Sequence, residues 1–197
     1  RKFGDTPGER RLALSPDGRR LAIAFNKGVE LWDAATGKSL GTSPEILEPC
    51  ALSWSPDGER IFYLEPSKGV LSISRVGGQP KVVLPSSMGT RKAYDLAVLS
   101  PDGKTLAVLI TDRSQTEPVT RLAFSSPPGA EPKLAEDALP PGAASIAWTS
   151  NGDRVLASNH TPAGVSIFSL TMDGRKRLLQ RVGGAGPFGV EFSAIPN

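Results

Sequence analysis

The tetrapeptide Ser-Pro-Asp-Gly occurs three times in this chain of 197 residues, at residues 15–18, 55–58 and 100–103. Residues 149–152, Thr-Ser-Asn-Gly, read as a degenerate fourth copy. Successive copies begin 40, 45 and 49 residues apart. A period in this range indicates a tandem array of similar supersecondary units, so the fold must be built from repeats.

Each copy predicts a tight turn between two antiparallel strands. A type I turn favours Ser at its first position, Pro at its second and Gly at its fourth, and it accepts Asp or Asn at its third. Proline presets φ, and glycine takes a positive φ that a Cβ would resist. The residues expected to shape these turns are Asp17, Gly18, Asp57, Gly58, Asp102, Gly103, Asn151 and Gly152.

Short apolar runs bounded by turn residues surround each turn. In the first unit they lie at residues 11–14, 20–25, 29–32 and 38–40, and no window of the chain shows a sustained helical period. Four short antiparallel strands in each repeat of about 45 residues are typical of a β-propeller blade. The sequence therefore predicts an all-β propeller with blades at approximately 9–44, 50–86, 94–137 and 144–182.

The last ten residues, 188–197, read like an inner strand entering another turn. We expect them to begin a fifth blade or to close the ring, and we expect residues 1–197 to be one propeller domain or part of a larger one. Three arrangements stay open: a segment of a larger ring, a closed four-bladed ring, or two copies paired edge to edge. The first is favoured, because a cut ring leaves apolar blade faces that isolated proteins rarely expose.

The composition excludes several classes of partner. The net charge is only +3, the basic residues are scattered, and no aromatic stacking platform accompanies them, so nucleic acid is not expected. No apolar run reaches the length of a membrane span, and the single Cys50 excludes an internal disulfide. We expect a soluble bacterial protein, and the sequence does not separate cytoplasm from periplasm.

No catalytic signature stands out. The one histidine, His160, lies in a turn-like stretch, and no Gly-x-Ser-x-Gly elbow is present. The glycine-rich residues 183–186 lack the Lys-Ser/Thr of a phosphate loop. The recurring Asp residues belong to separate turns. The sequence thus predicts no catalytic residue, no metal, no cofactor and no enzymatic activity.

Two tryptophans hold matching positions. Trp54 and Trp148 each stand directly before the turn, where Leu14 and Leu99 stand in the other units. The simplest interpretation is an apolar anchor of an inner strand that packs on the next blade.

The stretch Leu-Trp-Asp-Ala-Ala-Thr-Gly-Lys at residues 31–38 resembles the end of the third strand in bacterial WD-repeat proteins. Ser-Pro-Asp-Gly followed by a charged residue and an apolar strand resembles the repeat of WD-like and TolB-like propellers. The resemblance covers essentially the whole chain and implies a propeller fold. The Gly-His pair of eukaryotic WD repeats is absent, which favours the bacterial branch.

We expect the function to be binding, because propellers present long loops on one face of a rigid scaffold. The hypothesis is a non-catalytic scaffold or sensor that binds a protein or peptide on its long-loop face. The candidate binding residues there are Arg91, Lys92, Arg113 and His160. Two alternatives remain: an accessory or sensor domain of a larger enzyme such as a peptidase or signalling kinase, and an enzyme that uses residues of the central channel.

Overall fold

The computed structural model describes residues 11–25, 28–43, 49, 51–74, 78–86, 92–114, 116–140, 143–161 and 164–183. Every regular element in these residues is a β-strand. No helix in this part of the chain is long and apolar enough to cross a membrane. The predicted residues Cys50 and Arg91 and the predicted strand at 188–197 lie outside the described residues.

The strands form four sheets of four, numbered here in chain order. The first sheet contains β1 (Arg11–Leu14), β2 (Arg20–Phe25), β3 (Gly28–Asp33) and β4 (Ser39–Thr42). The second contains β5 (Leu52–Trp54), β6 (Arg60–Glu65), β7 (Gly69–Ser74) and β8 (Lys81–Pro85). The third contains β9 (Lys92–Leu99), β10 (Leu106–Asp112), β11 (Val119–Ser125) and β12 (Lys133–Leu139). The fourth contains β13 (Ala143–Trp148), β14 (Arg154–Thr161), β15 (Gly164–Thr171) and β16 (Lys176–Gly183).

Each sheet is a simple meander. Its strands are hydrogen-bonded in chain order and every neighbouring pair is antiparallel. Four such sheets are the blades of a β-propeller, so the predicted fold class is confirmed. The chain divides into two compact units, Arg1–Ser87 with the first two blades and Met88–Asn197 with the other two.

Strands of the second unit run further than the sequence predicts. The third blade extends from Lys92 to Leu139, two residues beyond the expected bounds 94–137 at each end, and its outermost strand has seven residues. In the fourth blade β14 continues to Thr161. Pairing with a neighbouring strand extends these segments past the point where their own residues favour a strand.

The first Ser-Pro-Asp-Gly turn is held by a small hydrogen-bond network. The amide of Gly18 donates to the carbonyl of Ser15 at 2.8 Å. The Ser15 hydroxyl donates to Asp17 Oδ1 at 2.5 Å and accepts from the amide of Arg20 at 2.9 Å. Asp17 Oδ1 also accepts from the amide of Arg19 at 3.0 Å. Serine and aspartate together therefore satisfy the backbone where the chain reverses.

The same network recurs at the other turns. Ser55 and Ser100 donate to Asp57 and Asp102 at 2.5 and 2.6 Å. The serine hydroxyl, followed by a backbone amide, holds the pKa of Asp17, Asp57 and Asp102 below the ordinary value. In the degenerate copy Thr149 takes the place of serine and accepts from the amide of Arg154 at 3.2 Å. The motif is thus a turn device, and its carboxylates are engaged locally.

In the first unit, one apolar core lies between the two blades. Its buried side chains come from β2 and β3 on one side and from β6 and β7 on the other: Ala22, Ala24, Val29, Leu31, Ile61, Tyr63, Leu71 and Ile73. The alanines of the first blade leave room for the larger Ile61 and Tyr63 of the second. Burying this surface is the main stabilising contribution to the unit, at about 25 cal/mol per Å².

The second unit repeats this arrangement with a different set of residues. The third blade contributes Ala107, Leu109, Leu122, Phe124, Ala135 and Leu139, and the fourth contributes Ile146, Trp148, Val155, Ala157, Phe168 and Leu170. The rings of Phe124 and Trp148 meet at a centroid distance of 5.9 Å and an angle of 56°. Each unit is therefore a sandwich of two blades around one core.

The two matched tryptophans join inner strands across these cores. Trp54 Nε1 donates to the carbonyl of Ala13 on β1 at 2.9 Å. Trp148 Nε1 donates to the carbonyl of Val98 on β9 at 3.1 Å. The tryptophan therefore anchors its inner strand to the preceding blade, not to the next blade as expected from the sequence. The indole thus adds a hydrogen bond between blades to a carbonyl of the preceding inner strand.

Gly18→Ala isolates the conformational requirement of the turn. Gly18 has φ of 70°, and a Cβ added there meets nothing within 4 Å. We expect the alanine variant to lose about 1–2 kcal/mol of unfolding free energy from the left-handed backbone alone. Gly18→Asn is the control and should lose less, because asparagine tolerates this region. Urea denaturation followed by circular dichroism measures both, and equal losses would contradict the assignment.

Trp148→Phe tests the bond between inner strands. The change keeps an aromatic ring but removes the indole hydrogen bond to the carbonyl of Val98, which should cost about 0.5–1.5 kcal/mol of unfolding free energy. Trp32→Phe is the matched control, because Trp32 Nε1 donates to Glu30 Oε2 on its own strand at 3.0 Å. The denaturation midpoint in urea should fall more for Trp148→Phe than for Trp32→Phe. A larger fall of the midpoint for Trp32→Phe than for Trp148→Phe would contradict a stabilising hydrogen bond between the inner strands.

Candidate functional site

The strand ends opposite the Ser-Pro-Asp-Gly turns are called here the loop end of a unit. In the second unit, β10 leads into β11 and β14 leads into β15 at this end. Lys92 begins β9 and is paired with Asp112 through the backbone, and its side chain is not described. Arg113 directly follows β10, and His160 lies one residue before the end of β14. Three of the four predicted binding residues thus share the loop end.

His160 belongs to a strand, which corrects the loop position expected from the sequence. It pairs with Val165 on β15, and its ring is partly buried. His160 Nε2 lies 3.2 Å from the hydroxyl of Ser158, which lies 3.4 Å from the hydroxyl of Ser145. Ser158 is fully buried. These hydroxyl and imidazole groups thus contact one another within the fourth blade.

Asp95 occupies a β-bulge in the inner strand of the third blade. Leu96 pairs with Leu109 and Tyr94 with Ile110, so Asp95 is the extra residue that opposes no partner. A bulge bends the strand and re-aims the side chain of its extra residue. The side chain of Asp95 retains 32% of its exposure. The bulge therefore places an accessible carboxylate at the loop end.

Two threonines hold this carboxylate in place. Thr111 on β10 donates its hydroxyl hydrogen to Asp95 Oδ2. Since that hydrogen is used, the contact of 2.9 Å between Thr111 and Thr120 requires Thr120 on β11 to be the donor. Both threonines are buried. The hydrogen-bond chain from the Thr120 hydroxyl through the Thr111 hydroxyl to Asp95 Oδ2 fixes the carboxylate on its buried side.

Arg113 completes the group on the solvent side. Its Nη2 atom lies 3.6 Å from Asp95 Oδ1, and its side chain keeps 57% of its exposure. An exposed ion pair of this kind adds little to stability. It does set an anchored acceptor beside a guanidinium with several donors, within reach of a molecule in solution. We call Asp95, Thr111, Thr120 and Arg113 the Asp95 cluster.

Asp95 was not among the residues named from the sequence, whereas Arg113 was. The available signal was a charged residue within the apolar run 94–99 of an inner strand. The bulge itself could not be recognised from the sequence. The equivalent bulge in the fourth blade falls at Ala144, so the two bulges share no residue type. Such a feature depends on the register with the neighbouring strand, and one residue type does not encode it.

The loop end of the first unit is built differently. Glu65, at the end of β6, is 1% exposed and pairs with Lys68 Nζ at 2.9 Å. The neighbouring Tyr63 is also buried, and its hydroxyl has no hydrogen-bond partner among the described residues. Burial, followed by the charge of Glu65, raises the pKa of Tyr63 above its ordinary range. Glu65 and Tyr63 are closed to solvent, so among the described residues of the two loop ends the Asp95 cluster is the accessible candidate.

The predicted turn residues lie at the other end of their blades. Gly18, Gly58, Gly103 and Gly152 all have φ near +70° (70, 67, 73 and 71°). Within the described residues no three His, Cys, Asp or Glu side chains come together in a way that could hold a metal ion. At that end of the blades these turns connect the first two strands of each sheet.

Comparison with known proteins identifies the fold. No protein-family model and no curated protein matches the sequence. Among solved structures, TolB of Acinetobacter baumannii is similar over 85% of this chain and 41% of its own, at 17% identity and a TM-score of 0.63. A nidogen/laminin complex contains a chain similar over 82% of this chain and 61% of its own, at 16% identity and a TM-score of 0.63. This chain thus spans less than half of the length of TolB.

A periplasmic gluconolactonase of Pseudomonas aeruginosa is similar over 87% of this chain and 53% of its own, at 20% identity and a TM-score of 0.54. This enzyme shares the propeller fold, so the prediction that the chain is not an enzyme was wrong. The absence of a recognised catalytic motif did not justify the prediction, because one fold supports many functions and function depends on individual sites. What the comparisons establish for this chain is the β-propeller fold that it shares with TolB.

Proposed function

We propose that this chain is a protein- or peptide-binding β-propeller module that uses the loop end of its second unit. The observation that carries the proposal is the Asp95 carboxylate, which a bulge brings to the surface and buried threonines hold in one orientation. The carboxylate is accessible on its solvent side and held by buried hydroxyls on the other, as a rigid recognition group needs to be.

The chemistry of the cluster suits a polypeptide partner. Asp95 offers acceptor oxygens, and Arg113 offers donors in a planar fork. A peptide presents both kinds of partner group along its backbone and side chains. Arginine is also enriched among residues that dominate binding energy at protein interfaces.

The fixed orientation of the Asp95 carboxylate lowers the entropy cost of binding a partner. Binding loses affinity when side chains must be ordered on contact, at about 0.5–1.5 kcal/mol for each flexible side chain. The hydroxyl chain from Thr120 has already ordered Asp95 in the free protein. The structure of the nidogen/laminin complex gives a precedent for this fold in a protein complex.

Peptides selected from a random phage-displayed library on the wild-type chain test the proposal. We expect Asp95→Asn, which keeps the shape but removes the charge, to weaken their binding at least tenfold. Arg113→Ala should act in the same direction. Thr111→Val should also weaken binding, because it removes the support of Asp95 without touching an exposed residue. Fluorescence anisotropy of labelled peptides measures each dissociation constant.

Lys104→Ala is the matched control. Lys104 is exposed and adjoins the turn at the opposite end of the same blade, and its loss removes one positive charge as Arg113→Ala does. Binding to this variant should equal wild type. Selected peptides whose affinity is unchanged by all three loop-end variants would refute the proposed surface, as would a library that yields no binder.

A further inference from the structure

The outermost strand of the fourth blade presents an open edge. Within the described residues β16 is hydrogen-bonded to β15 alone, and seven of its eight residues are exposed. Three of them are large and apolar: Leu178, Leu179 and Val182, at 42, 49 and 46% exposure. An exposed edge of this kind offers unpaired amides and carbonyls to another strand.

The outermost strands of the other blades lack this combination. β4 has four residues and β8 has five, and β8 ends in Pro85, which has no amide hydrogen. β12 carries Glu136 and Asp137, which interrupt its apolar residues with negative charge. Short length, proline and inserted charge are devices that protect a sheet edge from pairing. β16 has eight residues, no proline and no acidic residue.

The charge of β16 indicates the kind of strand it accepts. Its sequence, Lys-Arg-Leu-Leu-Gln-Arg-Val-Gly, carries three positive charges and no negative one. The partner strand β15 carries no charged residue at all. An added strand with acidic side chains would meet these cations, whereas a basic one would be repelled.

Cations and aliphatic side chains occur on both faces of the edge. Leu178 pairs with Phe168, and Arg181 pairs with Ser166 on the same face of the sheet. Arg177 pairs with Ser169, and Val182 pairs with Val165 on the opposite face. Leu179 is the extra residue at a bulge between these two sets. A partner strand of alternating acidic and aliphatic residues therefore finds suitable contacts whichever face each residue occupies.

Contacts with the third blade fix the first residue of β16 before any partner binds. Lys176 Nζ donates to the carbonyl of Ala138 at 2.5 Å, and the Lys176 amide donates to Asp137 Oδ2 at 3.0 Å. The ammonium also lies 5.8 Å from the centroid of the Phe168 ring. Lys176 thus anchors β16 to the third blade, which leaves Arg177 and Arg181 as the cations presented to a partner. An anchored strand loses less freedom on pairing than a mobile one.

We propose that the β16 edge binds an extended acidic peptide segment, which adds to the fourth blade as a fifth strand. Main-chain hydrogen bonds to the edge supply affinity, while Arg177 and Arg181 select for acidic side chains. Nucleic acid is a poorer match, because the aliphatic side chains offer no aromatic stacking surface. This surface is separate from the Asp95 cluster, and the proposal stands without it.

The test uses a fluorescein-labelled peptide of the sequence Gly-Glu-Val-Glu-Val-Asp-Val-Glu-Gly and the whole chain. We expect saturable binding by anisotropy that weakens at least fivefold between 50 and 300 mM NaCl. Arg181→Glu and Arg177→Glu should each weaken it at least tenfold. Lys81→Glu, the same reversal on the exposed outer strand β8, should leave it unchanged. Amide hydrogen exchange should slow within residues 176–183 when the peptide is bound.

Two further probes keep the proposal falsifiable on the wild-type chain if a variant misfolds. A peptide with proline in place of the central valine should bind at least tenfold more weakly, because it lacks a backbone donor and resists an extended ladder. If the proline peptide bound as tightly as the original, binding would be due to nonspecific charge attraction, and the proposed addition of a strand would be wrong. Tighter binding of a 20-nucleotide single-stranded DNA, equal weakening by Lys81→Glu, or no binding up to 1 mM peptide would overturn it as well.

Discussion

A four-stranded sheet of this size buries an apolar face only by lying against another sheet, and the rest of the structure depends on that contact. In each compact unit the two blades share one core, and a tryptophan of the second blade donates to a backbone carbonyl of the first. The apolar contact is not directional, whereas the indole hydrogen bond is. The tryptophans therefore set the register in which one inner strand lies on the other.

The turns were predictable because their chemistry is local. Four residues contain the serine, aspartate and glycine that make the whole hydrogen-bond network, so Ser100, Asp102 and Gly103 carry the information themselves. The degenerate copy confirms the reason, since Thr149 supplies the hydroxyl that serine supplies elsewhere. From the spacing of these turns follow the number of strands, their antiparallel order and the blade architecture.

Strand lengths and the candidate site were less predictable, because both depend on neighbouring strands. His160 reads as part of a turn in the sequence, yet pairing with Val165 keeps it in β14. Asp95 gains its accessibility from a bulge against β10, and the carboxylate is then held by Thr111 and Thr120, which are distant in sequence. Arg113 was named as a candidate from the sequence because it lies in a connection between apolar runs, and connections can be recognised locally. Contacts between strands of different sequence position have no local signature.

The β16 edge follows from the same architecture. The fourth blade builds its half of the core from β13, β14 and β15, and its outermost strand β16 contributes no core side chain. Most of β16 is accordingly exposed, while Phe168 and Leu170 on the adjacent β15 are buried. β16 is thus free to vary without loss of this core, whereas the outermost strands β4, β8 and β12 are short, contain proline or carry acidic residues. Retaining eight residues with three cations and three exposed aliphatic side chains on β16 exposes the fold to unwanted pairing. An acidic partner strand would cover the edge and prevent such unwanted pairing. The positive charge of β16 also repels a second copy of the same basic strand.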